Sequence, residues 1–296
     1  MKVLITGGCG FLGKHLLARL EANKDVETIV VADNLDPLCG SGGEIVPVSR
    51  GQFVYANVAN YPDMLSVCYN FHITHICHLA AYGRNLTCQD HPLMAWQSNV
   101  NGTLNVLEVA RRLAPQVKRV VCCSSNITLS PCNTVYKASK EAVESLVSLY
   151  ATLGLSCVGL RPSNIYGAGQ SKTEYQPCAF AGLDSYYFKY GCFLITGDGT
   201  QARDWVHADD VSRAFEQMLT SPVVGKTYDI ATGKLTSMNE IAAMLGVPVQ
   251  YTDPRPGDAK VLVSDTYNAY THLGYSTQLR LEDHIFEAFP SVPRKQ

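Results

Sequence analysis

The stretch Val3-Leu4-Ile5-Thr6-Gly7-Gly8-Cys9-Gly10-Phe11-Leu12-Gly13 decides how the rest of the chain is read. A short apolar run reads as a strand, and the glycines behind it allow a tight turn into a helix. The spacing satisfies both G-x-G-x-x-G (Gly8, Gly10, Gly13) and G-x-x-G-x-x-G (Gly7, Gly10, Gly13). Without side chains at these positions a pyrophosphate can approach the backbone, and the helix behind it offers free N–H groups and the positive end of its dipole. A second apolar run ends at Asp33, twenty residues past Gly13, where a carboxylate is placed to take the hydroxyls of an adenosine ribose. That carboxylate would repel a 2′-phosphate, and Asn34 rather than an arginine follows it, so the expected cofactor is NAD rather than NADP.

Working outward, the first half alternates apolar runs with helical patterns. The runs are Val3–Thr6, Thr28–Ala32, Phe53–Val58, Ile76–Ala80, Arg119–Ser124 and Cys157–Arg161. Their interiors are nearly all apolar rather than alternating, which is how strands covered on both faces read. Phe11–Glu21 carries Leu12, Leu16 and Leu20 at helical spacing. The stretch 94–113 predicts one helix with Trp96, Val100, Leu104 and Leu107 on a stripe, and 136–153 another with Val143, Leu146, Val147 and Tyr150. Strand–helix repetition predicts an α/β fold with a Rossmann-type doubly wound parallel sheet. After about residue 165 the rhythm changes: 164–199 is rich in Gly and Tyr with weak periodicity, 209–219 reads as a helix, and Ser237-Met-Asn-Glu240 as a capping box. The expected division is a dinucleotide-binding unit over 1–165, with segments near 204–232 returning to it, and a smaller α+β substrate unit over most of 166–296.

Composition narrows the function classes. With 296 residues, 46% hydrophobic and 17% charged, the chain can bury a sizeable core, which argues against disorder. Lys and Arg number 24 against 26 Asp and Glu, so no general footprint for a polyanion exists and nucleic acid is not an expected partner. No apolar run approaches a membrane span, and Gly7, Gly8 and Gly10 interrupt the apolar start, which reads as strand and turn rather than a secretory leader. The 11 cysteines are odd in number and contain no C-x-x-C, so a reduced, cytoplasmic setting is expected, with Cys122, Cys123 and Cys157 as small core residues. His72, His75 and His78 sit three apart, but side chains alternate on an extended segment, so no metal site is expected there.

The chemistry is suggested by Tyr136-Lys-Ala-Ser-Lys140. At i and i+4 on a helix, phenol and ammonium share a face. A nearby cation favours the phenolate, which makes Tyr136 a general base toward an alcohol. Ser124 and Ser125 stand at the end of the strand before it.

With these residues in view the chain resembles an extended short-chain dehydrogenase/reductase of the nucleotide-sugar epimerase/dehydratase kind. The matching motifs run nearly end to end: TGGCGFLG (6–13), ADN (32–34), HLAA (78–81), NVNGTLNVLE (99–108), the Ser124-Ser125 pair, YKASK (136–140), LRPSNIYG (160–167), GDGTQARD (197–204) and RPGD (255–258). The resemblance implies that Ser125, Tyr136 and Lys140 are catalytic. It implies that Gly7, Gly10, Phe11, Leu12, Gly13, Asp33, Asn34, Asn57, Val58, Leu79, Ala80, Ala81, Asn99, Tyr136, Lys140 and Pro162 hold NAD. Asn57 stands where the family more often has Asp. A nucleotide diphosphate would be bound by Asn164, Arg203 and Arg255; a pyrophosphate calls for bidentate arginines, although each also suits a surface salt bridge. Tyr82, Arg84 and Asn126 are substrate-side candidates, with ordinary loop roles open for Tyr82 and Arg84. Tyr175, Tyr186 and Tyr187 suit either base stacking or core packing.

Related 4,6-dehydratases place an Asp-Glu pair after the catalytic Ser or Thr. Here Asn126, Ile127 and Thr128 follow Ser125, so elimination lacks its acid–base group. The expectation is therefore C4 epimerisation of a nucleotide-diphosphate sugar through a transient 4-keto intermediate. The alternatives are a 4,6-dehydratase, a 4-ketosugar reductase and a non-catalytic NAD-binding protein. Two local departures stand out: ten residues separate Ser125 from Tyr136 where relatives have a longer loop, and Leu129-Ser130 replaces an aromatic-Gly pair. Relatives pair the helices at 94–113 and 136–153 across a twofold, so a homodimer is expected.

Overall fold

The computed structural model describes residues 1–39, 43–170, 178–254 and 261–294. Strands β1 (Lys2–Thr6), β2 (Thr28–Asp33), β3 (Gly51–Tyr55), β4 (His75–His78), β5 (Arg119–Cys123), β6 (Cys157–Pro162) and a later strand at Thr227–Ile230 form one parallel sheet. Its order is Thr227–Ile230, β6, β5, β4, β1, β2, β3, so chain order reverses between β1 and β4. Crossover helices cover both faces: α1 (Phe11–Ala22), α2 (Tyr61–Asn70), the short α3 (Asn85–Asp90) and α4 (Pro92–Trp96), α5 (Gly102–Arg112) and α6 (Val135–Thr152).

The near-continuous apolar runs are explained by two cores, one per face. In β1, Val3 and Ile5 join Leu16, Leu17 and Leu20 of α1, while Leu4 turns to the opposite face with Met64 and Val67 of α2 and Val106 and Leu107 of α5. Successive strand residues alternate faces, and here both faces are dry. The runs predicted to reach Val58 and Ala80 stop at Tyr55 and His78. Beyond those points the chain leaves the sheet to line the crevice.

The single helix predicted over 94–113 is interrupted. A π-turn at Gln97–Asn101 separates α4 from α5. Its wider turn shifts the helical phase, so the expected stripe breaks: Leu107 is buried, whereas Trp96 and Leu104 are 42% and 40% exposed. The stripe on α6 is present, with Val143, Val147 and Tyr150 buried.

After β6 the chain runs through β7 (Asn164–Tyr166), α7 (Ala179–Tyr190), β8 (Phe193–Thr196), β9 (Ala202–His207), α8 (Ala208–Met218), β10 (Thr227–Ile230, the sheet's last strand), β11 (Leu235–Ser237), α9 (Met238–Leu245), β12 (Val249–Thr252), α10 (Thr266–Leu273) and α11 (Leu281–His284). A three-stranded sheet in the order β11-β9-β7 and the parallel pair β12-β8 carry a separate core of Tyr166, Phe180, Phe193, Trp205, Ile241 and Phe289. The weakly periodic 164–199 stretch thus contains a twelve-residue helix, α7. The capping box at Ser237 and Glu240 forms in both directions. α8, within the 204–232 stretch, packs on the large sheet, and so does α10, whose Ala269 and Leu273 join that core.

Candidate active site

In an open parallel sheet, ligands bind outside the carboxyl ends of the strands where chain order reverses. Here that place lies beyond Thr6 and His78, and a cavity of about 860 Å³ runs from it to the smaller unit. Gly7, Gly10, Phe11, Leu12 and Gly13 line one end. The closeness of the backbone explains the glycines: Gly7 has φ +70, and a Cβ there would meet Ala80 N at 2.7 Å. A Cβ on Gly13 would lie 2.5 Å from the Gly7 carbonyl oxygen. Asp33, at the end of β2, accepts Cys9 N–H at Oδ2 (3.0 Å) and Leu35 N–H at Oδ1 (2.8 Å), and burial raises its pKa. Asn34, Val58, Leu79, Ala80, Ala81 and Pro162 also line the cavity.

Two cofactor-side candidates do otherwise. The Asn57 side chain accepts Ala59 N–H at 3.0 Å within its own turn, and Ala56 and Val58 line the crevice instead. Asn99 is buried behind the wall, where it accepts Tyr82 N–H at 2.7 Å and donates to Tyr82 O and to Ser139 Oγ. It positions the 80–82 segment from behind. Tyr82, a substrate-side candidate, is also outside the lining: it is 4% exposed and donates its hydroxyl to Asp36. Packing among Cys88, Ala95 and Leu38 draws the ring inward.

The candidate reacting group assembles from the ends of β5 and α6. Ser125 caps the 3₁₀ turn Asn126–Leu129, accepting Ile127 N–H at 3.3 Å, and α6 opens with Thr134 as its cap. The ten residues between Ser125 and Tyr136 are enough to close this path, and Asn126, Ile127, Ser130, Cys132 and Thr134 border the cavity together with Ser125, Tyr136 and Lys140. The surrounding protein raises the Tyr136 pKa, and a hydrogen bond with Ser125 lowers it. Lys140 is 3% exposed, and its Nζ donates to Cys123 O at 2.9 Å and lies 5.9 Å from the Tyr136 ring centroid. Burial lowers the Lys140 pKa. The sequence reading expects the lysine to favour the phenolate; in the protein alone burial outweighs it.

A third member of that helix face went unnoticed in the sequence. Glu144 lies four residues past Lys140, accepts the Ser124 hydroxyl at 2.5 Å, and takes a fork from Arg161 at 2.9 and 2.7 Å. Arg161 also donates to buried Asp229 at 2.7 Å. The i, i+4, i+8 spacing of Tyr136, Lys140 and Glu144 was the available signal. Asp204, the last residue of GDGTQARD, is a second omission: it accepts Thr232 and Gly233 N–H at 2.9 and 2.7 Å and ties the two units together. Cys123, expected in the core, lines the cavity, while Cys122 and Cys157 are buried.

Toward the smaller unit the cavity is bordered by Arg84, Asn164, Cys178, Tyr186, Gln201 and Arg203. Tyr187 instead packs against Phe193 with centroids 6.1 Å apart. Arg255 and Tyr175 lie outside the described residues. His78 is held between Thr6 Oγ1 (2.7 Å) and Thr103 Oγ1 (3.0 Å), and burial first, then Lys140, lowers its pKa to about 3. Away from the cavity lining, His207, His284 and Glu287 place ligand-type atoms within 4.8 Å of one another. Asp209 N–H donates to His207 Nδ1 at 3.2 Å, which leaves the neutral ring's proton on Nε2, facing Glu287 at 3.0 Å.

The fold and this crevice define a dinucleotide-dependent enzyme of the doubly wound class. A sequence model of the NAD dependent epimerase/dehydratase family matches residues 3–231. The chain belongs to that family, and its cofactor is NAD. It is 29% identical over 315 residues to a UDP-glucose 4-epimerase of Mycolicibacterium smegmatis, covering 96% of each chain. It is 26% identical to a CDP-paratose 2-epimerase of Salmonella typhi, covering 96% of this chain and 97% of that one. The crystal structure of Thermus thermophilus UDP-glucose 4-epimerase in complex with NAD superposes with a TM-score of 0.83 at 26% identity over 99% of both chains. Among the described residues, no helix is long and apolar enough to cross a membrane.

Proposed function

We propose that the protein epimerises a nucleotide-diphosphate sugar at C4. The observation that carries this reading is one continuous cavity that joins the glycine turn and Asp33 to Ser125, Tyr136 and Lys140, with Asn, Ile and Thr rather than acids following Ser125. The Tyr136 phenolic oxygen takes the proton of the 4-hydroxyl, and Ser125 Oγ hydrogen-bonds that same oxygen. Lys140 sets the charge beside the phenol and holds the ribose next to the reacting ring. Bound NAD supplies the hydride acceptor, which becomes the donor on the return. Asn164, Arg203 and Arg255 hold the diphosphate, so the sugar can turn in the wide cavity while its nucleotide stays in place. The turned ketone would take the hydride back on its opposite face, and Tyr136 returns the proton to the 4-oxygen. The partners of this reading are the nucleotide sugar and a second copy of the chain.

The test is a panel of nucleotide sugars incubated with NAD-loaded protein in heavy water. A C4 epimer without solvent deuterium is expected; a 4-keto-6-deoxy product carrying deuterium at C6 would make the protein a dehydratase. Tyr136→Phe should lower turnover about 10²- to 10⁴-fold while NAD stays bound; turnover at the parent rate would remove the phenol from the chemistry.

A further inference from the structure

Two histidines and a glutamate meet where the C-terminal segment crosses the end of β9, and the proposed chemistry uses none of them. His207 ends β9, caps α8 and is 1% exposed. His284 ends α11, and Glu287 follows three residues later in a 3₁₀ turn, so the two share a face. The Glu287 carboxylate lies between the rings: Oε2 is 3.0 Å from His207 Nε2, and Oε1 is 2.8 Å from His284 Nδ1. The side chains of His284 and Glu287 are 32% and 33% exposed, so an ion can enter from solvent. Tyr166 is an independent sign of a missing partner. Its ring meets His207 edge-on with centroids 5.1 Å apart, it is fully buried, and its hydroxyl has no hydrogen-bond partner. Buried hydroxyls are seldom left so. Glu287 is the charged group that acts most strongly on that hydroxyl.

From this placement we infer that His207 Nε2, His284 Nδ1 and a Glu287 carboxylate oxygen bind one zinc ion. Two imidazoles and a carboxylate suit Zn²⁺, whereas Ca²⁺ and Mg²⁺ favour oxygen-only sets. Zinc–ligand bonds are about 2.0–2.2 Å long, so the ion takes the place that the ring protons hold between each imidazole and the carboxylate. Coordination at Nε2 moves the His207 ring proton to Nδ1, at the cost of the hydrogen bond from Asp209 N–H. The acceptor for the moved proton is Asp209 Oδ2, 3.7 Å from Nδ1 on a side chain that is 54% exposed and free to close that gap. A carboxylate behind the ligating ring is the usual arrangement at such sites. The fourth position takes water, a hydrogen-bond partner of the kind that the Tyr166 hydroxyl lacks. The three ligands lie outside the cavity lining. The ion is therefore structural: it ties the C-terminal segment to the β9–α8 junction and does not depend on the epimerase reading.

Calorimetric titration of tag-free, chelator-treated, NAD-loaded protein with zinc chloride tests the site. Cys39, Cys123, Cys132 and Cys178 are partly exposed and are the competing ligands. His284→Ala and Glu287→Gln, both at partly exposed positions, are therefore titrated alongside, and Co²⁺ serves as a spectroscopic substitute. The parent should bind one ion per chain, and either variant should bind it at least about 100-fold more weakly, more than the loss of a second-shell partner costs. Zinc should raise the thermal midpoint of the parent and leave that of His284→Ala in place. The Co²⁺ spectrum should lack a thiolate-to-metal charge-transfer band. No binding by the parent, binding that both variants retain, or a thiolate band in the Co²⁺ spectrum overturns the inference.

Discussion

Tyr136 and Lys140 show how a single pair is tuned by its surroundings. Burial disfavours both charged forms, raising the phenol and lowering the ammonium. Lys140 Nζ lies 5.9 Å from the Tyr136 ring centroid, and a cation at that range favours a phenolate by Coulomb attraction. Lys140→Met removes the cation without opening a large void. In NAD-saturated protein it should move the rising limb of the pH–rate profile to higher pH, by about one to two units. The direction follows because losing a positive neighbour makes the phenolate costlier. A limb that stays in place, read from kcat/KM between pH 6 and 10, would mean that Tyr136 is not the group being titrated.

At the scale of elements, the interval from β5 to α6 is where the chain-specific features lie. The short turn after Ser125 is closed from below: Lys137 Nζ donates to Ser130 O at 2.6 Å, and Ser130 Oγ accepts Cys132 N–H at 3.2 Å. Behind it, Arg161 joins β6 to Glu144 of α6 and Asp229 of β10. Asp229 is 4% exposed, so Arg161→Ala strands a carboxylate inside the protein. This should cost about 3–5 kcal/mol of stability, measured as a lower urea midpoint by circular dichroism, and a midpoint equal to the parent's would show that the network is relaxed by solvent. Ser124 donates to the same Glu144, so the damage should extend to the neighbouring Ser125 and lower turnover as well.

For the whole molecule, the large sheet supplies the glycine turn, Ser125 and the Tyr136 helix, while the smaller unit supplies Arg203 and Tyr186. Asp204 of β9 accepts the N–H groups of Thr232 and Gly233, where the chain passes from β10 of the large sheet to β11 of the smaller one. The outer surface of α4 to α6 has a different use. Leu93, Met94, Trp96, Leu104, Leu149 and Leu153 are all exposed there, with Leu93 at 78% and Leu153 at 56%. A proposed twofold pairing of these helices would cover them. The parent should sediment as a dimer at micromolar concentration, and Trp96→Glu with Leu149→Glu should give a folded monomer. A parent that sediments as one 32.3 kDa chain would remove the dimer from this account.

How much of this was legible follows from the range of each interaction. The glycine turn, the strand carrying Asp33, the parallel sheet and the Tyr-Lys face were readable, because backbone approach, twofold burial and helical spacing each leave a pattern within a few residues. Asn57, Asn99 and Tyr82 could not be placed from the sequence. Whether a polar side chain next to a crevice faces into it or anchors its wall depends on partners far along the chain, such as Asp36 for Tyr82 or Ser139 for Asn99. The broken stripe over 94–113 shares that cause, since a π-turn moves the buried face without changing the composition. The sequence by itself determined the fold and the cofactor, and singled out Ser125, Tyr136 and Lys140 as the proposed reacting groups, through local rules of turn, period and spacing. Only the tertiary structure decided which donors look into the cavity, because that depends on packing between segments that the chain keeps far apart.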